Sequence, residues 1–280
     1  MSRAFAVAAL LALSCGGWPA GAGVAWAQDD DDDEGVGPAP LEARAVVARA
    51  VKALGGKEAL EAVRTATLLI DPKDGPIRER HVLRVEGRVM HYASRRKSGA
   101  GFDVVVGGGQ AFLCDRDAKG VATFVEDLNE KDTCEGAYER DILFLPLLLL
   151  GLLEDKDAKM DYRGRNSKGH EVIRARISPP PGAKHERPFT IRIQIDKDTN
   201  LPVAAMGIVP LGQDKGKKRY CEYQDYAEVS VGRGKVRLPR TIHDQRGKGL
   251  PSRTFQVRWQ LNPELPPSLF VRPQVARDKD

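Results

Sequence analysis

Residues 190–209 read TIRIQIDKDTNLPVAAMGIV, and this stretch decides the fold. Ile191, Ile193 and Ile195 alternate with Arg192, Gln194 and Asp196. A strict period of two puts one set of side chains on a buried face and the other in water, the signature of a half-buried strand. Asp196-Lys197-Asp198-Thr199-Asn200 then supplies turn chemistry, with Asn200 suited to a positive φ. A second apolar run follows at once, so the segment is a β-hairpin.

The same rhythm extends both ways. Strands are expected at 65–70, 78–85, 88–94, 102–106 and 110–114 on the N-terminal side. Others are expected at 159–164, 171–177, 203–209, 219–231, 235–245 and 253–261. Turns such as Glu86-Gly87-Arg88 and Gly107-Gly108-Gly109 fall between them. Short strands separated by turns predict an antiparallel meander, and the lack of alternating strand–helix units excludes a doubly wound fold. The expected fold class is mainly β with helices: one large curved antiparallel sheet, a half-barrel, with a helical plug or lid on its concave face.

Two segments depart from this pattern. Residues 41–54 place Val47, Ala50, Val51 and Leu54 on one helical face, and Gly55-Gly56 ends that helix. Residues 57–63 add a further helical turn. Residues 142–153 (ILFLPLLLLGLL) form the most apolar stretch of the body. They are too short to span a bilayer, which takes about 20 residues. Pro146 and Gly151 are expected to break a long regular helix there. A segment apolar on all sides must be buried, either as a plug in the core or as the cover of an apolar cavity. As a cover, its candidate ligand contacts are Leu145, Leu148, Leu149 and Leu152.

The N-terminus reads as an export signal. Arg3 is followed by an apolar run and then by Ala25-Trp26-Ala27, which suits cleavage before Gln28. Cys15 directly follows the apolar run, so lipidation at Cys15 is the competing route. The domain expectation is a signal peptide at 1–27, an acidic Gly/Pro linker at 28–40, one domain at 41–273 and a charged tail at 274–280. The run at 29–34 is solvated acid without the spaced oxygen ligands of a calcium site. The chain carries a formal charge of +5. Removing Arg3 and the six acids of 29–34 leaves a body of about +10 by the same counting. Such a body suits anionic surfaces, including membrane-surface contact. No nucleic-acid-reading motif is present, so nucleic acid is not expected as a partner.

An oxidising compartment permits a disulfide, and Cys114 with Cys134 is the expected pair, leaving Cys221 on a half-buried strand. No metal or cofactor motif occurs, and no catalytic constellation rises above scattered residues. His81 and His91 could meet across a hairpin, and Glu222 and Asp225 lie three apart among tyrosines. Both sets read better as ordinary strand residues than as acid–base machinery, so the chain is not expected to be an enzyme.

Several pieces in sequence order resemble the outer-membrane lipoprotein-sorting carriers, the LolA/LolB-like family. They are residues 48–63 (ARAVKALGGKEALEAV), 191–202 (IRIQIDKDTNLP), 236–242 (VRLPRTI) and 255–270 (FQVRWQLNPELPPSLF). The resemblance implies a half-barrel closed on its concave side by helices, and a periplasmic or envelope protein that binds lipid or acylated protein. The alternative is a non-enzymatic structural or interaction protein of the envelope with a filled core. Oligomeric state stays open.

Overall fold

The structure is a computed structural model that describes residues 40–70, 78–180, 182–183, 186–208, 218–246 and 252–275. The expected signal peptide, Cys15, nearly all of the acidic linker and residues 276–280 lie outside the described residues.

Thirteen strands form one antiparallel sheet. The N-terminal half contains β1 (Thr65–Ile70), β2 (Arg78–Arg84), β3 (Val89–Arg95), β4 (Gly101–Gly107), β5 (Gln110–Arg116) and β6 (Ala122–Asp127). The C-terminal half contains β7 (Met160–Arg165), β8 (Glu171–Ile177), β9 (Phe189–Ile195), β10 (Pro202–Ile208), β11 (Lys218–Val231), β12 (Gly234–Arg246) and β13 (Ser252–Leu261). The sheet runs β6-β5-β4-β3-β2-β1-β13-β12-β11-β10-β9-β8-β7 and does not close. Every neighbouring pair but one is consecutive in sequence; the exception is β1 with β13, which pairs Ala66 through Ile70 with Leu261 through Val257. The meander expected from the alternation is what forms. The hairpin at 196–200 also forms: Asp196 Oδ1 accepts from the Thr199 amide at 2.7 Å, and Asn200 has φ 55°.

The two edge strands, β6 and β7, are consecutive in sequence. Their connection must therefore travel from one edge of the sheet to the other. It does so as two helices, α3 (Glu130–Leu143) and α4 (Leu145–Glu154), laid over the concave face. Two further helices, α1 (Pro40–Ala53) and α2 (Lys57–Glu61), complete this layer; α1 packs on β7 and β8, and α2 on β12. Asn129 caps α3 by accepting from the Asp132 amide at 3.0 Å. No regular helix runs unbroken through 142–153: α3 ends at Leu143 and α4 begins at Leu145, with Pro146 in its first turn, where a missing amide costs nothing. Gly151 lies inside α4, with open space where a Cβ would stand.

Val46, Val47, Ala50, Val51 and Leu54 of α1 are buried in the main core, as their spacing predicts. Gly55 ends α1 at φ 133°. A Cβ there would lie 2.3 Å from the Lys235 carbonyl oxygen, because β12 approaches closely enough for the Arg237 amide to donate to Leu54 O at 2.8 Å. Positive φ and close approach both demand glycine at this point.

The outer face of the N-terminal half has a smaller apolar cluster of Val82, Val89, Val105, Phe112, Cys114 and Ala122, closed by Phe270 from the C-terminal segment. Residues of the two clusters alternate along each strand, so the sheet itself separates them. This alternation corrects the disulfide expectation. Cys114 faces outward with Val105 and Phe112, whereas Cys134 sits on α3, whose Gly136 rests against the inward-facing Val106. The sheet lies between the two sulfurs. Cys114, Cys134 and Cys221 are all buried thiols. Alkylation of the denatured, unreduced protein followed by peptide mass mapping should find all three modified; a Cys114–Cys134 cross-link would contradict this arrangement.

Candidate functional site

The concave face and the α3–α4 connection over it form the candidate site. The sheet contributes inward side chains from both halves: Leu68, Leu83, Met90 and Val106 from one, and Ile191, Ile193, Ala205 and Tyr223 from the other. The connection touches both. Tyr138 of α3 lies against Phe189 with ring centroids 4.9 Å apart, and Tyr223 donates to Ile142 O at 2.6 Å. Between the helices, Phe144 meets Trp259 edge-on at 5.7 Å. Tyr138 also passes over Gly207, where a Cβ would lie 2.8 Å from its hydroxyl and 3.1 Å from Thr190 O. Gly207→Ala should therefore lower stability by about 1–3 kcal/mol through overpacking. Urea unfolding should detect that loss, and should find it smaller in a Tyr138→Leu background.

The four leucines nominated by sequence separate into two kinds. Leu145 and Leu149 are 2 % and 0 % exposed and belong to the main core. Leu148 and Leu152 are only partly buried and pack at its border. On α4 the apolar surface thus continues from the core to the outside.

Sequence reasoning missed two polar clusters that fix this connection. The first centres on Arg140 of α3, which is 0 % exposed. Its Nε and Nη2 donate to Asp141 at 2.7 and 3.0 Å, and Nη2 and Nη1 donate to Glu186 at 3.1 and 3.3 Å. Nη1 also donates to Arg88 O at 2.7 Å, so all three guanidinium nitrogens are engaged. Burial works against the charge of Arg140, but Asp141 and Glu186 outweigh it and hold the guanidinium firmly protonated. Arg88, at the β2–β3 turn, donates to Asp141 at 3.3 Å and to Ser178 O. Arg140 thereby ties a turn of the N-terminal half to the β8–β9 connection of the C-terminal half.

The second cluster lies inside the C-terminal half. Arg219 donates to both oxygens of Asp244 at 2.8 Å each, a bidentate pair, with Glu139 of α3 at 3.8 Å. Cys221 Sγ lies 3.4 Å from Asp244 Oδ1, and Cys221 is fully rather than half buried. The signal for these residues was weak, since buried arginines on an apolar face look like ordinary surface charge in sequence.

The acid–base candidates are not brought together. His81 stands opposite Tyr92, and His91 opposite Val82, so the two imidazoles point to opposite faces. Glu222 accepts from Tyr220, whereas Asp225 accepts from Thr241. Among the described residues no group of three His, Cys, Asp or Glu is arranged to hold a metal ion.

The class these features define is an open antiparallel half-barrel whose edge-to-edge connection covers its concave face. No protein-family model matches the chain, and no curated protein does. Among solved structures, it is similar to a LolA superfamily protein from Nitrosomonas europaea, with TM-score 0.46 and 11 % identity over 82 % of this chain and 97 % of that one. It is also similar to the lipoprotein LppX from Mycobacterium tuberculosis, with TM-score 0.26 and 12 % identity over 76 % of this chain and 99 % of that one.

Proposed function

We propose that this protein is a non-enzymatic carrier or sensor of lipid or acylated protein in the cell envelope, with α3 and α4 as the cover of its binding surface. The supporting observation is the connection from β6 to β7. A sheet with a large apolar concave face is left open, and a tethered pair of helices is what lies over it. Leu148 and Leu152 are the border residues an entering acyl chain meets first; Leu145 and Leu149 become contacts once α4 moves. Burial of an acyl chain gains about 0.8 kcal/mol per methylene, so affinity needs no catalytic group.

Full burial of Leu145 and Leu149 favours a second reading, an envelope interaction protein whose core α4 fills permanently. Two measurements on the exported protein separate the readings: mass spectrometry of co-purified lipid, and titration with a fluorescent fatty acid. Saturable uptake at one or two chains per protein is the carrier's expected result. Protein that is free of lipid and takes up no fatty acid is a filled core.

A further inference from the structure

We propose that the outer face of β1–β3, with the β3–β4 turn, docks on the headgroups of an anionic phospholipid bilayer. This goes beyond the cargo reading and holds equally for a protein with a filled core. The register sets Arg78 directly opposite Arg95. It also sets Arg80 opposite Leu69 on the same face. The turn after β3 adds Arg96 and Lys97, both exposed.

Among the described residues the only carboxylate on the outer face of β1–β5 is Asp103, and it is already taken. Arg95 and Arg116 both donate to it, and His91 Nε2 lies at 3.6 Å. Burial pushes the Asp103 carboxyl up, but His91, Arg116 and Arg95 outweigh burial and hold it well below the usual range, so it stays ionised and occupied. The buried Nε of Arg80 has no hydrogen-bond partner. Like charges directly opposite on neighbouring strands destabilise a sheet, and of the Arg78–Arg95 pair Asp103 answers only Arg95. Phosphate oxygens from outside would relieve the charge repulsion at the exposed Arg78, since guanidinium groups bind phosphate in a bidentate fork.

The occupant is a membrane rather than a nucleic acid. Leu69 stands partly exposed beside Arg80, and the rings of Phe112 and Phe270 on this outer face are buried, so they give bases no platform to stack on. The export signal read from the sequence delivers the chain to a compartment bounded by phospholipid.

The test uses the exported full chain carrying Cys15→Ser, so that no acyl anchor contributes. It is mixed with vesicles of phosphatidylcholine alone or of phosphatidylcholine with phosphatidylglycerol, and binding is read by flotation. Binding to the anionic vesicles only, falling as salt is raised, is expected. The combined variant Arg78→Glu, Arg96→Glu, Lys97→Glu should lose at least about tenfold in affinity, since each cation near an anionic surface contributes appreciably. A control with the same charge change on β8 and its neighbouring hairpin, Arg174→Glu, Arg176→Glu, Lys197→Glu, should stay within about twofold if the patch, not net charge, is read. Should the first variant fail to fold, Arg96→Gln with Lys97→Gln in the exposed turn serves instead. No binding to anionic vesicles, equal binding to neutral ones, or an equal loss in the control overturns the proposal.

Discussion

Replacing Arg140 by methionine should cost about 3–5 kcal/mol, because it removes the cation shared by the buried Asp141 and Glu186 carboxylates and leaves Asp141 only its longer contact with Arg88. For a domain of this size each kcal/mol shifts the melting temperature by about 2–4 °C, so a fall of roughly 6–20 °C is expected. Adding Asp141→Asn and Glu186→Gln should recover much of the loss at neutral pH. Thermal melts of the three proteins at neutral pH check this; a single variant within 1 °C of wild type would show that the clasp is not what holds α3 in place.

A charge on α4 should have opposite consequences at two adjacent positions. Leu149 is fully buried, so Leu149→Asp places an unpaired carboxylate in the core at a cost of several kcal/mol, and the protein should melt much lower or fail to accumulate. Leu148 lies at the border, so the carboxylate of Leu148→Asp can reach water. Its fold should survive, with melting changed by only a few degrees. If α4 covers a lipid surface, fatty-acid uptake by the Leu148 variant should fall at least about tenfold, as an unpaired charge faces the acyl chain. Collapse of the Leu148 variant would count against a movable cover. Normal stability with normal uptake would remove Leu148 from the binding surface.

Much of the sheet was legible because each strand carries its own evidence. Ile191, Ile193 and Ile195 show their buried face by alternation alone, and α1 shows its by a period near 3.6. Helix α3 was not legible. Its buried residues include Thr133, Arg140 and Asp141, so polar groups stand where an amphipathic pattern would need apolar ones. Strand β6 was also missed, because an edge strand six residues long with Glu126 and Asp127 gives little alternation. The break beside Pro146 is legible in residues 142–153, but Gly151 stands inside α4 instead of ending it. A single glycine costs a helix little, and the packing of α4 outweighs it.

What the sequence determined by itself is the sum of its local signals: the meander, the apolar face of α1, the glycine stop at 55–56 and the burial of the leucine run. Each follows from the period of side chains along a strand or helix, which neighbouring residues suffice to set. Tertiary structure alone decided that β1 pairs with β13, which makes β6 and β7 the edges and sends α3 and α4 across the concave face. It alone decided that Cys114 and Cys134 lie on opposite sides of the sheet, and that Arg140 meets Glu186 from a distant loop. These are contacts between residues far apart in the chain, fixed by which surfaces pack together, and no local period encodes them.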